Sequence, residues 1–107
     1  MKIYISGKIS GLEPIEYRAK FANAEHYLRK MGYSPLNPAA VNARLPDDTT
    51  YEQYMAMSLL MLSFCDGIYL LDNWRDSPGS LREKAEAEKN GLKIMYQEET
   101  DGNTTDI

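Results

Sequence analysis

The chain opens on residues 2–6, Lys2-Ile3-Tyr4-Ile5-Ser6, a β-branched and aromatic run that stops at Gly7 and reads as a strand. A loop from Gly7 to Gly11 leads to Pro14, which suits a first helical position because its missing N–H costs nothing there. Beyond it Tyr17, Phe21, Ala24, Leu28 and Met31 recur at helical spacing until Gly32 ends the pattern. Residues 33–36 form a second brief strand closed by Asn37-Pro38, and a loop rich in Ala, Pro and Asp follows. Thr49 or Thr50 caps a helix over 51–64. Residues 67–71 are apolar throughout, as a strand covered on both faces should be. After a polar loop over 72–77, Ser77-Pro78 opens another helix that Gly91 ends, and residues 92–96 make the last strand. The acidic, polar segment 97–107 has nothing to bury and is expected to be a mobile tail.

Strands alternating with helices imply a parallel sheet with helices on both faces, here an α/β, flavodoxin-like three-layer sandwich over residues 1–96. Four strands take the natural order 2-1-3-4, which reverses between the first and third. Ligands in such sheets bind beyond the carboxyl ends of the strands at that reversal. The loop after Gly7, the loop after Leu71 and the helix start at Ser77 should therefore meet there.

Composition narrows the function classes. A chain of 107 residues holds one domain. Its net charge of −4, with Lys and Arg scattered, argues against a nucleic-acid polymer as partner. Met1-Lys2 leads directly into the apolar strand, so no signal peptide is expected, and the longest apolar stretch is too short and interrupted to cross a bilayer. The single cysteine, Cys65, makes no internal disulfide and is expected to be a small buried hydrophobe. The expected compartment is the cytoplasm.

Candidate chemistry lies at all three meeting segments. In Ser77-Pro78-Gly79-Ser80-Leu81-Arg82-Glu83, Ser77 can cap the helix and Gly79 leaves the backbone open to a ligand. Free N–H groups at such a start attract anions, and Glu83 stands near the pocket mouth. Ser80-x-x-Glu83 is equally a capping box, which would give Glu83 a local role only. The loop after the first strand, with Gly7, Lys8, Ser10 and Gly11, can hold a phosphate through backbone donors, Lys8 and Ser10, or can be a glycine-dependent connection. Asp72 ends the third strand at the expected pocket, and Trp74 can stack on a planar base or serve as a lid. Tyr4 can pack and find one partner for its hydroxyl. Asp66 reads as a turn residue and His26 as solvated.

The helix over 51–64 is apolar around nearly its whole circumference, with Ser58 the polar exception, where a monomer's surface helix would show one stripe. A second subunit covering one face, in a homodimer or higher homo-oligomer, accounts for this; complete cover by the sheet and the neighbouring helix is the alternative.

The segments Lys2 to Gly11, Asn37-Pro38, Cys65-Asp66-Gly67-Ile68-Tyr69-Leu70-Leu71 and Ser77 to Glu83 together resemble the nucleoside 2-deoxyribosyltransferase-like superfamily, in its short bacterial and phage branch. The resemblance spans residues 1–96. It implies transferases that exchange bases on 2′-deoxynucleosides, or hydrolases that split deoxynucleoside 5′-monophosphates, with no cofactor and no metal. It implies that Glu83 attacks C1′ of the sugar and that Tyr4 orients that carboxylate. It further implies that Ser77 contacts a 5′-phosphate, with Gly79, Ser80, Gly7, Lys8 and Ser10 in the same pocket. In the active groups an aspartate that assists the leaving base stands eight residues before the position of Asp66. Here that position is Ser58, and Asp72 is the residue expected to replace it if any does. Three functions follow: an N-glycosidic enzyme, a nucleotide-binding or sensing module without the chemistry, and a dimeric interaction protein.

Overall fold

A computed structural model describes residues 1–98. The strands are β1 (Lys2–Ser6), β2 (Ser34–Leu36), β3 (Gly67–Leu70) and β4 (Lys93–Tyr96); the helices are α1 (Pro14–Lys30), α2 (Pro38–Asn42), α3 (Tyr51–Ser63) and α4 (Pro78–Lys89). All neighbouring strands run parallel, in the order β2-β1-β3-β4. Tyr4 faces Ile68 and Ser6 faces Leu70 across the β1–β3 ladder. The expected strand order and alternation are those observed.

Local chemistry sets the element boundaries. Pro14, Pro38 and Pro78 each stand in the first turn of a helix, where a missing N–H breaks no bond. Thr50 and Gln53 form a reciprocal capping box at α3, which settles the cap on Thr50 rather than Thr49. Gly32 and Gly91 take left-handed φ values of 93° and 72° just after α1 and α4, a conformation that stops a helix with little strain only at glycine. Two stretches expected as loops carry short helices. Asn37 accepts from the Ala40 N–H and caps α2, and a 3₁₀ turn spans Trp74–Asp76. A period cannot be read from five residues, so the sequence pattern did not announce either.

Alternation along β1 divides the interior in two. Ile3 and Ile5 join Phe21, Ala24 and Leu28 of α1 in one core, which also takes Tyr69 and Leu71. Tyr69 stacks on Tyr27 of α1 with ring centroids 5.8 Å apart. Tyr4 faces the other way, into a core with Met61 and Leu62 of α3, Ala87 of α4, and Ile68 and Leu70. Successive strand residues point to opposite faces, so Tyr4 and Ser6 share the α3/α4 side. The sheet is the middle of three layers.

The tail begins anchored. The Asp72 N–H donates to Gln97 Oε1 at 2.8 Å, and Arg75 pairs with Glu98 at 2.9 Å. The rest of the segment expected to be mobile, 99–107, lies outside the described residues. Among the described residues no helix is long and apolar enough to cross a membrane.

Gly67 marks the tightest strand contact. A Cβ there would stand 2.9 Å from Ile3 Cδ1 and 3.1 Å from the Lys93 carbonyl oxygen. The carbonyl belongs to the β3–β4 ladder, and Ile3 is fully buried, so neither can withdraw freely. Gly67→Ala is expected to lower stability by about 1–3 kcal/mol, the usual cost of overpacking, read from the midpoint of urea unfolding.

Candidate active site

The strand order opens a cavity of about 390 Å³ where β1 ends. Its lining includes Tyr4, Ser6, Gly7, Lys8 and Ser10 from β1 and the following loop. Tyr51, Tyr54, Met55 and Ser58 come from α3, and Ser77, Gly79, Ser80 and Glu83 from the start of α4. Cavities of this volume suit small molecules.

Glu83 is the centre of the site. It is only 6 % exposed, and both carboxylate oxygens are held. Tyr4 Oη donates to Oε2 at 2.6 Å, and Ser6 Oγ donates to Oε1 at 2.6 Å. Ser6 Oγ also lies 3.0 Å from Ser80 Oγ. Ser6 has one hydroxyl proton, and the carboxylate takes it, so Ser80 is the donor in that second contact. Hydrogen bonds from Tyr4, Ser6 and Ser58 use three of the carboxylate's roughly four lone-pair sites, which leaves one to act on a ligand. Burial pushes the Glu83 carboxyl above its usual range, while hydrogen bonds from Ser6, Tyr4 and Ser58 and the charge of Arg82 pull the other way. Burial, and then the neighbouring Glu83 charge, push the Tyr4 phenol well above its ordinary value, so Tyr4 keeps its proton and remains the donor.

The α4 start offers a small set of donors. Pro78 has no N–H; the Ser80 N–H donates to Ser77 Oγ at 3.1 Å; the Leu81 N–H donates to the Ser77 carbonyl. Gly79 is the remaining first-turn N–H. The Ser77 hydroxyl accepts in its cap and keeps its own proton for a ligand. A Cβ on Gly79 would stand 3.3 Å from Met55 Sδ. Gly7 is required by a still closer approach, since a Cβ there would meet Leu71 Cδ1 at 2.5 Å. The Lys8 N–H donates to Asn73 Oδ1 at 3.0 Å, which pins the loop that carries Lys8 and Ser10.

Ser77 being the cap corrects one expectation. Ser80 is then inside the first turn and Glu83 beyond it, so Ser80-x-x-Glu83 is no capping box, and Glu83 turns to β1 instead. Two further residues stand elsewhere than expected. Asp72 does not line the cavity; it is exposed and pairs with Lys20 at 3.4 Å, so it cannot stand in for an acid near Glu83. Trp74 does not line it either. Its indole is buried beside Tyr96, with the Arg75 guanidinium 4.7 Å and the Lys84 ammonium 5.4 Å from the ring, so it is not placed to stack on a base. Ser6, Asn42, Tyr51, Tyr54 and Met55 were not foreseen as lining residues. The two-residue spacing from Tyr4 was the available signal for Ser6. Among the described residues no group of three or more His, Cys, Asp and Glu side chains could hold a metal.

A family model described as Domain of unknown function (DUF4406) matches residues 1–96. The chain belongs to this family. A solved structure, that of a 2-deoxyribosyltransferase from the psychrotolerant bacterium Bacillus psychrosaccharolyticus, superposes on this DUF4406 chain with a TM-score of 0.69. The match covers 90% of this chain and 71% of that one, at 20% identity. At that identity the likeness is one of fold, and it is the fold that the sequence resemblance implied. No curated protein matches the chain.

The raised Glu83 value makes stability depend on pH in this DUF4406 domain. Between the ordinary carboxylate value of 4.5 and the raised folded value, the folded state keeps a proton that the unfolded chain has lost. Stability therefore falls as pH rises through that window and stays lower above it. Glu83→Gln removes the titration. The variant is expected to have a higher Tm than the parent at neutral pH, with the gap closing below pH 4.5, as scanning calorimetry across that range would read.

Proposed function

We propose that this protein breaks the N-glycosidic bond of a deoxynucleoside or its 5′-monophosphate, with Glu83 as the nucleophile. The observation that carries the reading is a buried carboxylate in a ligand-sized cavity, held on both oxygens by Tyr4 and Ser6 of one strand. The fold shared with a 2-deoxyribosyltransferase supports it.

In this reading Glu83 attacks C1′ as the bond from C1′ to the base nitrogen breaks. The bonding pair leaves with the base, and the transition state has oxocarbenium character that the adjacent carboxylate stabilises. The result is a glycosyl ester on Glu83, which water resolves in a hydrolase and a second base resolves in a transferase. Tyr4 and Ser6 fix the carboxylate's orientation so that no reorganisation is needed when it attacks. Ser77, Gly79, Ser80, Lys8 and Ser10 hold the sugar and its 5′ end. The departing base needs a proton. Ser58, buried and close enough to hydrogen-bond with the Tyr4–Glu83 pair, relays one from water and does not supply it as an acid. A carboxylic acid in that role typically accelerates by ~10² to 10⁴, so a slow reaction is expected.

The same Ser58 favours a second reading, a nucleotide-binding or sensing module that keeps the pocket without turnover. Free base released from a panel of deoxynucleosides and deoxynucleoside monophosphates, read by chromatography with and without an acceptor base, separates the two. The wild type is expected to release base and Glu83→Ala is not; tight binding with no release by either would establish the binding module. Tyr4→Phe removes a donor that favours the charged carboxylate. It is expected to slow turnover by about 10- to 100-fold and to move the acidic limb of the pH–rate profile to higher pH.

We also propose that the protein is a homodimer through α3. Part of that helix's apolar surface lines the cavity and part meets the sheet, but Leu60 and Phe64 remain 53 % and 57 % exposed. A second copy over them would remove that surface from water. Sedimentation is expected to give a dimer for the wild type and a monomer for a Leu60→Glu, Phe64→Glu variant; a monomeric wild type would overturn the proposal.

A further inference from the structure

A second cavity of about 300 Å³ adjoins the first, and Ile9, Asn42 and Tyr54 line both. Glu83, Ser77, Gly79 and Ser80 line the first alone, so the shared wall lies on the side of the site away from the α4 start. Ile9 and Tyr54 give that wall an aliphatic and an aromatic surface. Asn42 gives it an amide with no hydrogen-bond partner among the described residues. Its Oδ1 is fully buried and unbonded, and its side chain makes no hydrogen bond to another described residue. Withdrawing an amide from water without a partner is destabilising, and such groups call for an explanation.

The local frame holds Asn42 there regardless. α2 is capped by Asn37, whose Oδ1 accepts from the Ala40 N–H at 3.3 Å and whose Nδ2 donates to Glu25 at 3.0 Å. Pro38 takes the first helical position, and Asn42 ends the helix. The backbone is fixed, while the terminal torsion of an asparagine is soft, so the amide can turn to meet a ligand.

We infer that Asn42 is a specificity-determining residue that reads the edge of the nucleobase. An asparagine amide presents one acceptor beside donors, and a nucleobase edge carries an N–H beside a lone pair in the complementary arrangement. Tyr54 and Ile9 supply the apolar surfaces against which a flat ring packs. With the α4 start taking the sugar's 5′ end, C1′ falls between the two at Glu83. This inference rests on the nucleoside reading above and adds the end of the site that selects the base. Amino bases and lactam bases both carry the donor–acceptor pair, and the experiment distinguishes them.

The test is binding calorimetry on Glu83→Gln protein, in which no turnover interferes. The four common deoxynucleosides are titrated first. The tightest is then compared with its analogue lacking the edge groups, purine 2′-deoxyriboside or 2-pyrimidinone 2′-deoxyriboside. Both are repeated with Asn42→Ala and with the near-isosteric Asn42→Leu added. Loss of the edge groups is expected to weaken binding by about 10- to 100-fold when Asn42 is present and to have little effect without it. Asn42→Leu is also expected to melt no lower than its parent, because it removes an unsatisfied amide. If nucleosides bind and the analogue penalty is the same with and without Asn42, the inference fails and the nucleoside reading stands. If no nucleoside or nucleotide binds the folded protein, both fail. A marked loss of Tm in Asn42→Leu with unchanged binding would make Asn42 structural and also overturn the inference.

Discussion

A carboxylate taken out of water keeps its charge only where donors replace the water, and this site is arranged around that requirement. Two of the donors to Glu83, Tyr4 and Ser6, stand two residues apart on β1 and therefore on one face of the sheet. β1 is a central strand with a neighbour on each side, so both donors start from the interior of the sheet. β3 lies beside it and leads through a 3₁₀ turn into α4, which returns over the same face carrying Ser80 and Glu83 one turn apart. The pocket at the strand reversal and the clamp on Glu83 are thus consequences of the same connection. Burial raises the carboxyl's affinity for a proton, and the hydrogen bonds oppose this, so the group is tuned by a balance and not by one neighbour.

Much of the fold was legible because each boundary had a chemical marker. Pro14 and Gly32 bracket α1, Thr50 caps α3, and Ser77-Pro78 opens α4. The strand order followed from alternation. What was illegible depended on direction and not on position. Asp72 and Trp74 stand just after β3, where the reversal places a pocket. Lys20 draws Asp72 to the surface, and Tyr96 and the second core draw Trp74 inward. α2 was hidden because five residues cannot show a helical period, and with it went Asn42. Glu83 was ambiguous because a capping box and a buried carboxylate facing a cavity share one spacing; the cap one turn earlier, at Ser77, separates them.

The apolar girth of α3 has more than one cause. Met55 and Ser58 are buried on the cavity side, where Tyr51 and Tyr54 also line the wall, Met61 and Leu62 enter the core, and Leu60 and Phe64 are left in solvent. A single explanation for an all-round apolar helix would have assigned the cavity wall to an interface. The comparison with a 2-deoxyribosyltransferase speaks to the frame that these residues occupy, and their own contacts speak to what they do within it.

The sheet also separates two kinds of failure. On the α1 side the interior is plain packing, with Ile3, Ile5 and the Tyr27–Tyr69 stack among its members. On the other side Tyr4 belongs both to the core and to the clamp on Glu83. Loosening the first layer makes the protein less stable while β1 still aims its polar face correctly. Loosening the second lets the phenol drift from the carboxylate, and the site loses its alignment before the molecule loses its shape.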